Sequence, residues 1–339
     1  MLRRLSRHFI LTGSVVAALV VSVGKAEEQY DEFLQGLRDK RHGELAIYYL
    51  EMVKDRPDLP EDLKVAYDLE MARCLQVAAL ATPNVDLQAK YVLDAQASLD
   101  KFLKDHADHP EAASAQMTSG EISLFRAQTV LKTALRDKTK RDALLPEARK
   151  LLEEARPKYE KAVAMFKVKV DESQAEKGAK KKFATKRAAR IAAESINSWN
   201  DARFKIATVD YNIGLSFPEP KDPKRKDFLL KAAKGFDGIY QENRSGRTGV
   251  FAHMWEGRAQ EEMEVFQTAM DIYDEVMSAS PDRKVSEKTE GQWIAMFNEV
   301  NRYRLMLLGR MKQYDKLIDD AKLWLGQNEA KKNRENPCN

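Results

Sequence analysis

The sequence predicts an all-α fold built from stacked antiparallel helical hairpins, and three observations support this prediction. Apolar residues recur at alternating spacings of three and four almost everywhere after residue 28, as they do in amphipathic helices. Glycine is scarce: the chain has 15 in 339 residues, whereas an average content of about 7% would give roughly 24. No run of alternating β-branched residues indicates a strand, so we expect no sheet of any size.

The first 26 residues are typical of a secretory signal peptide. Arg3, Arg4 and Arg7 precede an apolar run over residues 9–23, and Gly24-Lys25-Ala26 supplies the small residues that a signal peptidase accepts. The run spans about 15 residues, fewer than the roughly 20 that cross a bilayer. We therefore expect cleavage, export to the periplasm or the extracellular space, and no stable membrane span afterwards. An uncleaved membrane tether is the alternative.

The charge balance argues against a nucleic-acid partner. The chain has 57 Lys+Arg and 53 Asp+Glu residues. Four of the basic groups and no acidic group lie in the predicted signal peptide, so the remaining chain is electrically neutral. A neutral chain lacks the basic surface that dominates affinity for DNA and RNA.

Turn-forming residues divide the rest of the chain into helices of about 12 to 30 residues. The clearest helix is predicted from about Ala184 to about Gly214, where apolar residues form a single stripe. Short connections between amphipathic helices favour antiparallel neighbours, because each apolar stripe must find another within reach of the loop. The predicted breaks lie at 42–43, 57–60, 82–84, 109–110, 136–141, 218–223, 245–246 and 280–282.

A pattern of three residues recurs along the chain: a small residue, a bulky one four positions later and a smaller apolar one three positions after that. The last two copies are 37 residues apart, which predicts a helical-hairpin repeat of about 34 to 40 residues. Generic helix spacing is the alternative explanation. The four copies are Ala46/Leu50/Val53, Ala155/Tyr159/Ala162, Ala232/Phe236/Ile239 and Ala269/Tyr273/Val276.

Residues 251–281 resemble one tetratricopeptide (TPR) repeat. Gly257 lies late in the first helix, Ala269 and Tyr273 lie early in the second, and Pro281 closes the unit. Together with the signal peptide, this makes the chain similar to long exported bacterial TPR proteins. The resemblance implies a right-handed superhelix, an α-solenoid, that acts as a scaffold for protein–protein interaction. Most units lack the leading tryptophan of the family pattern, so the repeat count stays open.

The predicted organisation has five parts. The signal peptide (1–26) is followed by N-terminal helical hairpins over 27–170, and TPR-like hairpins occupy 191–327. A charged, basic segment over 171–190 connects them, and a polar disordered tail covers 328–339. Cys74 and Cys338 are the two cysteines. We expect Cys74 to pack as a small apolar residue and Cys338 to be a mobile thiol; a disulfide between them is the alternative.

Two groups of polar residues are candidates for binding a partner. Asn298, Asn301 and Arg302 share one helix face away from the apolar stripe, where they could bind a partner's carboxylate; an ordinary solvent-exposed face is the alternative. The basic segment could grip an acidic polymer, or it could be a solvated loop that runs into a helix. Its basic residues are Lys177, Lys180, Lys181, Lys182, Lys186, Arg187 and Arg190.

No residue pattern predicts a metal, a cofactor or catalysis. Asp105, His106, Asp108 and His109 form a donor-rich loop, but zinc generally needs three or four ligands in fixed geometry, so we interpret the loop as a polar helix end. Glu194-Ser195 resembles the catalytic Glu-Ser of lytic transglycosylases, yet the motif that follows it in that family is missing. We expect a binding protein without catalysis of its own; an accessory or catalytic domain of a cell-wall enzyme is the alternative.

The last predicted helix has an apolar stripe made of Leu317, Ala321 and Trp324. This stripe covers the preceding helix, but no further hairpin covers the outer side of the last one. A superhelix shields its final apolar face with a polar cap or with a partner. We therefore expect weak self-association, or docking of a helical partner, at this end.

Overall fold

Helices make up all of the regular secondary structure in the described part of the chain. The structure is a computed structural model, and it describes residues 30, 32–180, 186–279 and 287–335. Within these ranges it contains thirteen helices and no strand, which confirms the predicted all-α class.

The helices follow one another with short connections. They fall into two compact units, which divide between Ile122 and Ser123, inside the sixth helix. The bounds are α1 (32–39), α2 (Gly43–Val53), α3 (Glu61–Val65), α4 (Tyr67–Ala81), α5 (Val85–Asp105), α6 (Ala112–Arg136), α7 (Arg141–Lys180), α8 (Lys186–Leu215), α9 (Pro223–Glu242), α10 (Arg247–Glu262), α11 (Phe266–Ser278), α12 (Glu287–Arg310) and α13 (Tyr314–Glu335).

Seven of the predicted breaks coincide with connections between helices, and the eighth, at 280–282, lies outside the described residues. Side-chain caps explain two of them. The Asn84 side chain accepts hydrogen bonds from the backbone N–H groups of Asp86 and Leu87 at the start of α5. Asp222 caps α9 in the same way, with Pro223 at the first helical position, where a missing N–H costs nothing.

Three hairpins share one turn geometry. The connections α1–α2, α10–α11 and α12–α13 each contain a non-glycine residue with positive φ: Arg41 (60°), Glu264 (62°) and Lys312 (59°). Each donates its N–H to the carbonyl three residues earlier, and the next residue donates to the carbonyl five residues earlier. This is the Schellman arrangement, which satisfies the last carbonyls of the first helix.

The three-residue pattern marks core positions throughout the chain. All twelve of its residues are at most 1% exposed. In α2 and α11 the pattern occupies equivalent positions, because Ala46 and Ala269 each lie five residues after the positive-φ residue of their hairpin. The other two copies lie in α7 and α9, outside those tight hairpins. The pattern therefore marks buried helix positions in general, and not only those of a repeated hairpin.

The middle of the chain departs from a regular repeat. α7 spans 40 residues and α8 spans 30, so α7 alone is as long as a whole predicted hairpin unit and exceeds the predicted helix lengths. Both helices extend into the charged segment 171–190, which is helical over 171–180 and 186–190 and lies inside the second unit. Residues 181–185 lie outside the described residues.

Each helix packs mainly against its neighbours in sequence. In the first unit, α4 and α5 form one core with the start of α6, and α1 to α4 form another. In the second unit, α7 to α10 pack in succession, and α10 to α12 surround a core that includes Tyr273 and Trp293. Contacts also join α8 to α10 and α10 to α12.

The prediction for Cys74 and the prediction for the C-terminal tail have different outcomes. Cys74 is free and buried, as expected, and burial raises the pKa of its thiol to about 11. α13 continues to Glu335, so the residues 328–335 of the expected disordered tail are helical. The last four residues, including Cys338, lie outside the described part, as does the predicted signal peptide.

Candidate functional site

The candidate site is a groove between α11, α12 and α13, with a volume of about 410 Å³. The hairpin turn at Lys312 places α12 and α13 side by side, and the C-terminal part of α11 lies along them. The groove is lined by Asp274, Met277 and Ser278 from α11, Asn301 and Arg304 from α12, and Asp320, Leu323 and Trp324 from α13.

Arg304 carries the positive charge of the groove. Its guanidinium donates from Nε to Asp274 and from Nη1 to Asp320, at 2.5 Å in each case. Burial works against the charged form, but the hydrogen bonds and charges of the two aspartates outweigh it, and the pKa of Arg304 is raised. Two carboxylates around one guanidinium leave this part of the groove with a net negative charge. Asp274 is half exposed and can accept further hydrogen bonds from a ligand.

Three apolar side chains line the groove. Met277 is 38% exposed and Leu323 is 64% exposed, and Trp324 is half-buried. Five of the eight lining residues are polar and three are apolar, so the groove offers another polypeptide both charged groups and apolar contacts.

Of the three predicted partner-binding residues, two meet the groove. Asn301 lines it, and Asn298 accepts a hydrogen bond from Trp324 Nε1 at 3.3 Å. Arg302 does not line the groove: its guanidinium lies 4.5 Å above the ring of Tyr303 and 3.7 Å from Glu299. The three residues therefore do not act as one surface: Asn298 and Asn301 belong to the groove, and Arg302 lies beside Tyr303 and Glu299.

The sequence prediction missed Arg304 and its two aspartates. These residues come from three different helices, so the spacing within one helix does not connect them. One signal was available: Arg304 stands within the stripe that includes Tyr303 and Leu307, and a cation at a largely buried position needs acidic partners.

The described repeat residues lie at helix contacts in two cores of the second unit. Gly257 faces the ring of Tyr273 so closely that a Cβ at this position would lie 2.7 Å from Tyr273 Cε1. Ala269 and Tyr273 are fully buried, as are Ala232 and Phe236 in α9. Pro281 lies outside the described residues. The described members of this set pack helices together.

A buried ion cluster holds α10, α11 and α12 together. Glu261 is 2% exposed and accepts hydrogen bonds from the Tyr273 hydroxyl at 2.9 Å and from Arg310 at 2.8 Å. Arg258 forms a further ion pair with it and lies 4.5 Å above the Tyr303 ring. The carboxylate is thus fully partnered, which a buried charge requires.

A second polar cluster joins α9, α10 and α11 around His253. Its Nδ1 lies 2.8 Å from Glu256 and its Nε2 lies 3.2 Å from Glu275. Tyr240 stacks on the imidazole at 3.9 Å and donates its hydroxyl to Glu275. Burial alone lowers the pKa of His253, but its hydrogen bonds to the two glutamates and their charges outweigh burial and raise it. Arg244, in the connection between α9 and α10, lies 5.8 Å from the Tyr240 ring.

The donor-rich loop after α5 is a helix end. The rings of His106 and His109 lie 5.6 and 5.3 Å from the ring of Phe102, and His109 Nδ1 accepts a hydrogen bond from the Glu111 backbone. Among the described residues, no group of three or more His, Cys, Asp or Glu side chains is placed to hold a metal ion.

The remaining sequence candidates lie on helices. Glu194 is exposed on α8, whereas Ser195 is buried, because consecutive helical residues point in directions about 100° apart. In the described part of the basic segment, Lys177 is exposed near the end of α7. Within the described ranges, no helix has the length and apolar character needed to cross a membrane.

Comparisons with known proteins do not place this chain in a family. No family model matches it, and no curated protein is significantly similar to it. Four chains of solved structures match. One of them comes from a structure titled "Computational Design of Self-Assembling Cyclic Protein Homooligomers", with 12% sequence identity and a TM-score of 0.30 over 85% of this chain and 99% of that chain. A similarity at this level carries no argument about fold or assembly.

Proposed function

We propose that this chain is an exported helical scaffold that binds a protein or peptide partner and has no catalysis of its own. The observation that carries the proposal is the groove between α11, α12 and α13, in which exposed apolar side chains accompany a net negative centre. Because Arg304 is already held by two aspartates, the groove favours a segment that brings its own basic side chain to Asp274. Apolar neighbours of that side chain would contact Met277 and Leu323.

Within the all-α class, we propose that the helices form a TPR-like right-handed superhelix. The shared turn of three hairpins and the contacts of α8 with α10 and of α10 with α12 support it. In such a stack, each hairpin leaves a groove beside the next one, and grooves of this kind suit peptide segments. The long helices α7 and α8 would then be an insertion between shorter hairpins.

Export is the third part of the proposal, and it rests on the first 26 residues. The mature chain would act in the periplasm or outside the cell, with an uncleaved tether as the alternative. The mass and the N-terminal sequence of the protein recovered from its native envelope distinguish the two. A start after Ala26 supports cleavage, and an intact N-terminus in the membrane fraction contradicts it.

The groove is tested by site-specific photo-cross-linking in the native envelope. A photoreactive residue at Leu323 should capture a partner, whereas one at Val168, which is 57% exposed on α7, serves as the control. The partner identified in this way is then purified, and its affinity is measured for the wild type and for Asp274→Lys. Loss of affinity in the variant supports the groove; equal affinity, or equal capture at Val168, contradicts it.

The absence of catalysis is tested separately. Purified protein is assayed for peptidoglycan cleavage on a zymogram beside the Glu194→Gln variant. Cleavage that disappears with Glu194→Gln would replace the scaffold proposal by the cell-wall enzyme alternative.

A further inference from the structure

The outer side of α13 carries an exposed apolar stripe that is separate from the groove. Tyr314 is 59% exposed, Ile318 is 47% exposed and Leu325 is 60% exposed, with the half-buried Ala321 between them. These four residues, here called the outer stripe, follow helical spacings of four, three and four and therefore share one side of α13. Leu323, on the groove rim, lies on another side of the helix.

The first two turns of the equivalent side of α11 are covered by the next hairpin. Because the α10–α11 and α12–α13 turns are the same, residues can be matched by their distance from the positive-φ residue. Phe266 and Met270 match Tyr314 and Ile318. The guanidinium of Arg310 in α12 lies 4.9 Å above the Phe266 ring, and Met270 is 4% exposed in the core that α11 shares with α12.

The equivalent side of α2 is covered as well. Gly43 and Ile47 occupy the matching positions. A Cβ on Gly43 would lie 2.2 Å from the backbone nitrogen of Ala78 in α4, and Ile47 packs against the core residues of α4 and α5. This side of the second helix is thus a helix-packing surface in both earlier hairpins. In α13, no helix of the described chain covers it.

Charged residues beside the outer stripe indicate what fits it. Asp315 and Lys322 are both exposed along the same edge of the stripe. When two α13 helices pack antiparallel, Tyr314 faces Leu325 of the second copy and Ile318 faces Ala321 of the second copy. The same arrangement brings Asp315 beside Lys322 of the second copy, twice, by symmetry. A parallel arrangement would instead direct both charges toward Leu317 and Trp324, which already pack toward α12.

We propose that α13 is a homodimer interface, in which the outer stripes of two copies pack antiparallel about a twofold axis. This inference goes beyond the scaffold function, because it concerns a different side of α13. The groove, with Asp320 and Leu323, stays open in the dimer. Each dimer therefore presents two grooves and binds a bivalent partner with higher avidity than one chain does.

Sedimentation velocity on the full purified chain, from low micromolar to hundreds of micromolar, measures the association. The wild type should shift from monomer to dimer as the concentration rises. Ile318→Glu combined with Leu325→Glu should remain monomeric, because it places charges inside the apolar contact. Leu93→Glu combined with Val168→Glu is the matched control: it introduces the same two charges at exposed apolar residues of other helices, and it should dimerise like the wild type.

Charge reversal tests the antiparallel register. Asp315→Lys and Lys322→Asp should each weaken dimerisation by about tenfold, because two attractive pairs become repulsive, and the combined variant should restore it. Circular dichroism and thermal melts establish that each variant is folded. A monomeric wild type at all concentrations, dimerisation that survives Ile318→Glu with Leu325→Glu, or a combined charge variant that stays weak would each overturn the proposal. Capture of the groove partner by the monomeric variant tests the scaffold function independently.

Discussion

Replacing Tyr273 tests the packing of the α10–α11 hairpin, because its ring and its hydroxyl contribute separately. The ring is fully buried between Gly257 and the Tyr303 ring, whose centroid is 6.3 Å away. Tyr273→Ala should lower the free energy of unfolding by about 3 to 5 kcal/mol, as other buried aromatic-to-alanine changes do.

The hydroxyl accounts for a defined part of this loss. It donates to Glu261 at 2.9 Å, and a buried hydrogen bond to a charged group contributes about 1.5 to 3 kcal/mol. Glu261 keeps Arg258 and Arg310 in Tyr273→Phe, so no acceptor loses all of its partners. We therefore expect the loss in Tyr273→Phe to lie near the lower end of that range.

Urea denaturation followed by circular dichroism measures these differences through the midpoint and the m-value. Tyr314→Ala is the matched control, because Tyr314 is an exposed helical tyrosine; measured at a concentration where the chain is monomeric, it should change stability by less than about 0.5 kcal/mol. A Tyr273→Ala protein as stable as the wild type would refute the packing argument. A Tyr273→Phe loss equal to that of Tyr273→Ala would show that the ring contributes nothing.

Three further predictions concern single side chains. Gly257→Ala should destabilise the protein, because overpacking against Tyr273 costs about 1 to 3 kcal/mol, whereas the gain in helix propensity is about 1 kcal/mol. Gly291→Ala should stabilise the protein, because its Cβ would meet nothing within 4 Å. Thermal melts of the two variants test this. In a Cys338→Ser protein, which has no other thiol, Cys74 is buried and its pKa is raised to about 11, so it should react with a thiol reagent at mildly alkaline pH only after unfolding. Reaction of this variant in its native state would contradict the burial of Cys74. The raised pKa of His253 means that the folded state favours its protonated form. The contribution of His253 to the stability of the fold should therefore be complete at pH values below the ordinary histidine pKa of 6.5, and it should be lost as the pH rises through the folded-state pKa. In urea denaturation at a series of pH values across this range, His253→Gln should reduce the pH dependence of the free energy of unfolding. An unchanged pH dependence would exclude His253 as its source.

The fold class and most helix ends are predictable from the sequence, because they depend on residues close together in the chain. Asn84 and Asp222 cap the helices that follow them, so the breaks at 82–84 and 218–223 are visible in the chain itself. The small residue of each three-residue pattern permits close helix approach, and all four of these alanines are buried. Such positions are defined within one helix, where periodicity is informative.

The length of α7 is harder to predict, because a run of charged residues is compatible with a solvated loop as well as with a helix. Residues 171–180 contain few apolar side chains, but glutamate, lysine, alanine and glutamine have high helix propensity. These residues continue α7 to Lys180 without an apolar stripe. The groove was predictable only in part for a related reason: Asn301 and Trp324 were identified on their own helices, whereas Arg304 acquires its role from aspartates on two other helices.

The hairpin turns determine which residues face each other across two of the hairpins, including the one that forms the groove. A left-handed residue costs about 1 kcal/mol when it is not glycine, and Arg41, Glu264 and Lys312 are not among the residue types that adopt this conformation readily. The turn fixes which residues meet across the hairpin. The residues eight before and eight after Arg41 are Phe33 and Tyr49, whose rings are 4.7 Å apart. Those eight before and eight after Lys312 are Arg304 and Asp320, which form the ion pair of the groove. The turn therefore sets the position of the pair, and the side chains at that position decide whether it becomes an aromatic contact or a charged binding surface.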